Sequence, residues 1–263
     1  MGQHRAVQAG KHRAVPTAAR NRSRLAGGLL VGALGSGALA AGSLSSPAVA
    51  NASCAAVGSI DLGSGCSATT PTDIAVGIGP HTTAEASGGF DTAIAIGNGA
   101  NATATNGTHN TAIAIGNPGN NPVVGPTPTS AQAGFGPSTS DGGPSSDNTA
   151  IAVGNGTIAQ ATHGSGNTAT AFGNRSTALA NFGNNNTAQV FGEGSGAAAA
   201  GSGGPPVAGN NNTALVVGNG SEADAVLGNN NIARVFGNRS KAIASTGNNR
   251  VTVVGNGMTR QTP

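Results

Sequence analysis

The chain has 263 residues, 45 of them Gly, with 2% aromatic residues and neither Trp nor Tyr. Half of the 12 basic residues lie in the first 24 positions and all nine acidic residues come later, so a chain that begins near Asn51 carries a net charge of −3. This composition excludes a single large apolar core and a basic nucleic-acid-binding surface, and we expect no nucleic-acid partner.

A basic segment, an apolar stretch and a small-residue motif follow one another at the N-terminus. The apolar stretch covers residues 25–42, and Ala48 and Ala50 form the small-x-small motif. This order is typical of a secretory signal peptide, to which we assign residues 1–50. A membrane anchor is the alternative, but Gly and Ser make the stretch weakly hydrophobic. We therefore expect a secreted, extracellular or cell-wall-associated protein with no transmembrane helix after signal cleavage.

Two cysteines, Cys54 and Cys66, follow this leader. In an exported chain such a pair is most simply a disulfide, which we assign to an N-terminal cap at residues 51–72. Two thiols without nearby His or acidic ligands do not complete a tetrahedral metal shell. The sequence therefore predicts a structural disulfide, and we expect neither a metal nor a cofactor.

A repeat that opens on Asn or Asp recurs nine times within residues 73–257. The opening residues are Asp73, Asp91, Asn110, Asn148, Asn167, Asn186, Asn212, Asn231 and Asn249. Most of the intervals between them are 18 or 19 residues, one is 38 and one is 26. A fixed period of this length indicates a solenoid, in which each unit packs only against its neighbours.

Positions within a unit keep their character when the opening residue is counted as offset zero. Offset two is Ala in eight units, offset six is Gly in all nine, and offsets eleven and thirteen are Ala wherever the second half is regular. Period-two spacing broken by Gly indicates two short strands joined by two turns. We predict an all-β fold, a parallel β-solenoid or β-roll with about nine coils of ~19 residues and small Ala side chains inside.

Two insertions interrupt the repeat, at residues 118–147 and 201–211. The first insertion holds six of the 13 prolines. We interpret it as part of one coil with two long loops, whose second strand contains Ala131, Gln132 and Ala133. Loops of this kind often carry function. Residues 258–263 form the predicted C-terminal tail.

Candidate catalytic groups are sparse in the repeat region. His81, His109 and His163 occupy three different offsets, so they do not form one row of ligands or bases. The sequence has neither the Gly-x-Ser-x-Gly elbow nor the Gly-Lys-Ser/Thr phosphate loop. We therefore predict that the protein is not an enzyme, and we assign no catalytic, cofactor-binding or metal-binding residue.

The outer face of the first strand of each coil is the candidate oligomer interface. Offsets three and five lie opposite the Ala positions, and offset five is apolar in every unit. An exposed apolar column of this kind usually marks a contact surface. The interface residues are Ile94, Ile96, Ile113, Ile115, Ile151, Val153, Phe172, Phe191, Val217 and Phe236. The competing interpretation turns the strand over, with Ile and Phe inside and Ala outside.

The segments DTAIAIGNGANATA, NTAIAVGNGTIAQA and NTATAFGNRSTALA resemble the head repeats of YadA-like trimeric autotransporter adhesins. The resemblance covers residues 73–257 and implies a left-handed parallel β-roll that trimerises and binds matrix or cell surfaces. The coil here is longer than the usual repeat of that family, and the resemblance includes no coiled-coil stalk and no barrel anchor. It implies an adhesin-like binding module that forms a homo-oligomer, a trimer or a fibre, with host or envelope surface molecules as further partners.

The segments GNNNTAQVFGEGSGAAAAG and GNNNIARVFGNRSKAIAS resemble the Gly/Asn-rich repeats of curlin-type functional amyloid. That resemblance implies a self-assembling structural protein, either an amyloid or a surface layer, in which the stacking of coils is the activity. Curlin-type repeats keep Gln at set positions, whereas Gln160 and Gln189 here occupy different offsets. Self-assembly is therefore the alternative to the adhesin-like function.

Overall fold

The computed structural model describes residues 27–30, 40–43, 53–58, 60–121, 125–134, 145–200 and 209–262. The chain divides into two compact units, Met1–Val49 and Ala50–Pro263. In the first unit, β1 (Gly27–Leu30) pairs with β2 (Ala40–Ser43) as an antiparallel ladder. The rest of the predicted signal peptide, its cleavage site and most of the 201–211 insertion lie outside the described residues.

The second unit is a parallel β-solenoid built from two sheets, as the repeat predicts. The first sheet contains β3 (Ser53–Val57), β4 (Ile60–Leu62), β6 (Ile74–Ile78), β8 (Thr92–Ile96), β10 (Thr111–Ile115), β14 (Thr149–Val153), β16 (Thr168–Phe172), β18 (Thr187–Phe191), β20 (Thr213–Val217), β22 (Ile232–Phe236) and β24 (Arg250–Val254). The second contains β5 (Cys66–Ala68), β7 (Thr83–Ser87), β9 (Asn101–Thr105), β13 (Ser130–Ala133), β15 (Ile158–Thr162), β17 (Thr177–Asn181), β19 (Gly196–Ala200), β21 (Glu222–Val226), β23 (Lys241–Ser245) and β25 (Thr259–Gln261).

Successive coils stack in register, so equal offsets lie next to one another. Ala112, for example, pairs with Ala93 on one side and with Ala150 on the other. In its described residues, the 38-residue unit contributes one strand to each sheet, β10 and β13, so it occupies a single coil. Its first loop carries a hairpin of β11 (Gly119–Asn121) and β12 (Gly125–Thr127).

Alanine fills the space between the two sheets. Ala93 and Ala95 from the first sheet and Ala104 from the second have no exposed surface, and their equivalents in the other coils are buried in the same way. Val replaces Ala at offset four from Val190 onward. The interpretation that placed Ile and Phe inside is therefore wrong. Burial of one methyl group contributes only about 0.8 kcal/mol, so hydrogen bonds between coils carry much of the stability.

The Gly at offset six is required because the backbones of adjacent coils approach closely at that corner. A Cβ added to Gly173 would lie 2.1 Å from the carbonyl oxygen of Gly192, and one on Gly97 would lie 2.0 Å from that of Gly116. Gly173 also has a φ of 129°, which side chains disfavour. Any larger residue would force the coils apart.

A buried column of Asn at offset zero bonds each coil to the next. The backbone N–H of Asn167 donates to Oδ1 of Asn148 at 2.9 Å, and Asn167 Oδ1 accepts from the N–H of Asn186 at 2.9 Å. Its Nδ2 donates to the carbonyl of Gly183 at 2.8 Å. Each amide therefore satisfies backbone groups of two coils, which ties neighbouring coils together at this corner.

A short antiparallel cap covers the N-terminal end of the first sheet. Strand β3 runs antiparallel to both β6 and β4. The predicted disulfide is confirmed: Cys54 in β3 is bonded to Cys66 in β5, with their Cα atoms 5.5 Å apart, and it joins the two sheets. Gly77 replaces the usual Ala at offset four because a Cβ there would lie 2.6 Å from Cys54 Sγ.

The C-terminal boundary differs from the predicted one. Residues 258–263 were expected to form a tail, but β25 pairs in parallel with β23 through Thr259 and Lys241. Thr259 lies at offset ten of the last unit, where the second strand begins in other coils. The last unit therefore contributes a strand to both sheets.

Candidate functional site

All ten predicted interface residues lie on the outer face of the first sheet. They form two in-register columns, at offsets three and five. In the offset-five column, Ile115 is 37% exposed, Phe191 is 42% exposed and Val217 is 40% exposed. The rings of Phe172 and Phe191 stack along this column with centroids 5.6 Å apart. The structure thus presents a continuous ladder of partly exposed apolar side chains.

The offset-three column changes character along the solenoid. Ile94, Ile113 and Ile151 are half-buried in its N-terminal part, whereas Gln189 and Arg234 occupy it further on. Arg234 Nε is buried and, among the described residues, has no hydrogen-bond partner. The N-terminal part of the face is therefore the more apolar one.

A threonine column at offset one completes the face and was missed in the sequence analysis. Six consecutive coils place Thr there, all half-buried and paired in register: Thr92, Thr111, Thr149, Thr168, Thr187 and Thr213. The signal was present in the repeat, because offset one shares its side of the strand with offsets three and five. The outer face is thus one hydroxyl column beside two largely apolar columns.

The cap extends this face, which no periodicity could have predicted. Ile60 and Leu62 in β4 are 68% and 51% exposed. Ile60 pairs with Val57 of β3, and Leu62 pairs with Ala55. On the other side of β3, Val57 and Ala55 pair with Ile74 and Val76 of the first coil. Because these pairs keep the alternation of the sheet, Ile60 and Leu62 lie on its outer side. We call the outer surface of the first sheet, from β4 at one edge to β24 at the other, the apolar face.

The outer surface of the second sheet is more polar. Gln160 donates to Gln132 at 2.9 Å across neighbouring strands. Further along, Lys241 Nζ lies 2.7 Å from Glu222 Oε2 and 3.6 Å from Asp224 Oδ2. Leu179 and Ile243 are apolar exceptions on this surface, and both are half-buried. We call this surface the polar face. The two flanks of the solenoid therefore differ in their affinity for water.

Two aspartates have strongly perturbed pKa values. Burial raises the pKa of Asp224 to about 7, and the neighbouring Glu222 carboxylate adds to the rise while Lys241 opposes it. Burial also raises the pKa of Asp91 to about 7. The hydrogen bond from the Asn110 backbone N–H lowers this pKa, and the nearby Asp73 carboxylate raises it. Asp224 belongs to the ion-paired cluster on the polar face and Asp91 to the buried Asn column, so they do not share one cleft.

The three histidines are not brought together. His109 stacks on Phe90 with ring centroids 5.1 Å apart, and His163 stacks on Phe182 at 4.7 Å. His81 is an exposed turn residue. Within the described segments, no three His, Cys, Asp or Glu side chains are grouped as metal ligands.

The part of the chain that the structure describes contains no helix long and apolar enough to cross a membrane. Comparison with family models, with curated proteins and with solved structures found no match for this chain. The chain is a parallel β-solenoid of about nine coils with one apolar and one polar flank.

Proposed function

We propose that this protein is a secreted or cell-surface repeat protein that acts as an adhesin-like, non-catalytic interaction module. It associates with itself through the apolar face and presents the polar face to surface molecules. The observation that carries the proposal is the contrast between the two flanks of one solenoid. Side chains such as Phe191, at 42% exposure, remain in water unless a partner covers them.

The geometry supports binding through a surface and not through a cleft. In the described coils, buried Ala and Val side chains line the space between the two sheets, which favours binding on an outer surface. Flat, repetitive surfaces suit extended partners, because each coil adds a similar set of contacts. The resemblance of the repeats to adhesin heads points in the same direction.

Self-assembly into a fibre or surface layer is the second candidate function. It is favoured by the in-register columns of identical Asn, Ala and Thr side chains, an order also found in cross-β assemblies. The antiparallel cap and its disulfide work against it, because they cover one end of the first sheet.

Light scattering and thioflavin staining of the oxidised chain would separate these functions. A discrete oligomer that binds to matrix-coated or cell-coated surfaces supports the module. Concentration-dependent, thioflavin-positive fibres favour the structural protein. A chain that stays monomeric and binds no surface would overturn both.

The apolar face is tested by replacing Ile94, Ile96, Ile113 and Ile115 with Thr, which keeps β-branching and removes apolar surface. We expect loss of the oligomer with an unchanged circular dichroism spectrum. The matched control replaces Leu179 and Ile243 on the polar face with Thr and should leave the mass unchanged. An oligomer that survives the first set of substitutions would contradict the role of this face.

A further inference from the structure

The two ends of the apolar face differ in charge and in side-chain size. Among its described strand residues, the only charged outward-facing positions are Arg234 and Arg250, both near the C-terminal end. The offset-five column holds Ile78, Ile96 and Ile115 in its N-terminal part, and Phe at three of the later coils. A partner that matches this face must therefore place small, uncharged side chains opposite the C-terminal part of the face and larger side chains opposite its N-terminal part.

We infer that a second copy of this chain is that partner and that the two apolar faces pack with their solenoid axes antiparallel. This inference rests on the self-association proposed above. A two-fold axis parallel to the strands and close to β14 relates the copies, because β14 is the sixth of the eleven strands in this sheet. Strand β18 then lies over β8 of the second copy, and β16 lies over its β10.

Side-chain size favours this arrangement. A two-fold axis along the strand direction keeps each column opposite itself, so offset five meets offset five. Phe191 then lies opposite Ile96 of the second copy, and Phe172 opposite its Ile115. Large side chains in one half thus meet smaller ones in the other, which lets two sheets interdigitate at a spacing of about 10 Å.

Charge favours it as well. If the solenoid axes were parallel and the two copies had no shift along the axis, Arg234 would face Arg234 of the second copy. Two like charges would then be desolvated together. In the antiparallel dimer these two residues are eight strand spacings apart, roughly 38 Å at 4.8 Å per strand. Arg234 and Arg250 then lie near the ends of the interface, where their guanidinium groups reach water.

The area is sufficient for a stable pair. Eleven strands span about 48 Å along the solenoid, and five residues span about 17 Å along a strand, so each copy contributes about 800 Å². Two copies bury about 1,600 Å² in total, which is the size of a typical specific interface. Ile60 and Leu62 of the cap, which are 68% and 51% exposed, lie at one end of this area.

Cross-linking of single-cysteine variants tests the orientation. Ile94→Cys in β8 and Gln189→Cys in β18 are made separately, with one variant carrying a size tag, and are mixed before a short bis-maleimide is added. The native cysteines do not compete, because they are bonded to each other. Ile151→Cys in the central strand is the positive control, and Leu179→Cys on the polar face is the negative control.

We expect the mixed Ile94→Cys and Gln189→Cys product to exceed either self-linked product at least tenfold. Each variant alone places its thiols about 19 Å apart in the antiparallel dimer, beyond the reach of the reagent. Self-linked products that dominate over the mixed one would overturn the inference in favour of parallel copies. So would a dimer by mass that forms neither product. A monomeric wild-type chain would instead show that the proposed self-association is wrong.

Discussion

Asp91 is a buried acidic residue that lies next to Asn110 at the N-terminal end of the buried Asn column. Its Oδ1 accepts from the backbone N–H of Asn110 at 2.7 Å. Its Oδ2 is buried and, within the described residues, has no hydrogen-bond partner. At the equivalent place, Asn167 carries an Nδ2 that donates to a Gly carbonyl. The substitution Asp91→Asn should supply the missing donor.

We expect Asp91→Asn to stabilise the solenoid by about 1–3 kcal/mol at pH 8, the usual cost of a buried polar group without a partner. For a chain of this size, each kcal/mol raises the thermal midpoint by about 2–4 °C. Thermal unfolding followed by circular dichroism at pH 8 and pH 4 measures the effect. Midpoint shifts are preferable to a two-state free energy because repeat arrays unfold with incomplete cooperativity.

The pH dependence has a defined sign. Because the pKa of Asp91 is raised from 3.8 to about 7 in the folded state, the folded protein binds this proton more tightly than the unfolded chain. Its contribution to stability is therefore fully present below pH 4 and decreases as the pH rises to about 7. The advantage of Asp91→Asn should be large at pH 8 and small at pH 4. Asp224 has a pKa raised in the same direction, so some pH dependence remains in the variant.

Asp73→Asn is the matched control. Asp73 Oδ1 accepts from the N–H groups of Gly89 and Asp91, and Oδ2 accepts from that of Thr70. Burial opposes ionisation, but these hydrogen bonds hold the pKa of Asp73 below its ordinary value. The amide of Asp73→Asn would place its NH₂ group against a backbone N–H donor, so we expect this variant to destabilise the solenoid. If Asp91→Asn lowers the midpoint at pH 8, or shifts it equally at pH 4 and pH 8, the reasoning on the buried oxygen is refuted.

Three further predictions concern the coil, the cap and the leader. Gly173→Ala should cost about 2–3 kcal/mol, because its Cβ would lie 2.1 Å from a carbonyl oxygen, whereas Gly196→Ala has nothing within 4 Å and should be near neutral in thermal unfolding. Equal midpoints for the two variants would contradict the close-approach argument. Replacing Cys54 and Cys66 with Ser removes a link across 12 residues and should destabilise the cap by about 3 kcal/mol. Hydrogen exchange should accelerate in β3 and β5 but not in β22, and unchanged exchange in the cap would count against the prediction. N-terminal sequencing of exported protein should begin near Asn51, and a dominant species that retains Met1 would show that the leader is not cleaved there.

The periodic features of the fold were predictable because a solenoid is held together by contacts between neighbouring coils. Equal offsets stack in register, so a column of Ala or Gly in the sequence becomes a column in space. The inward alanines, the corner Asn residues, the single coil across residues 118–147 and the Cys54–Cys66 bond all follow from spacing and composition. The apolar column from Ile96 to Phe236 was predicted on the same grounds, although the offset-one threonines beside it were overlooked.

The non-periodic features depended on the tertiary structure. The outward position of Ile60 and Leu62 arises from antiparallel pairing of β4 with β3, a contact between two segments outside the repeat. Asp91 and Asp73 look equivalent in sequence, since both open a unit. Asp73 meets N–H donors at both oxygens, whereas one oxygen of Asp91 meets none. Sequence alone determined the coil and its inside because local period and side-chain size decide them. The fold at the N-terminal end of the stack decided that both oxygens of Asp73 meet donors, because there the neighbours are no longer copies of the same unit.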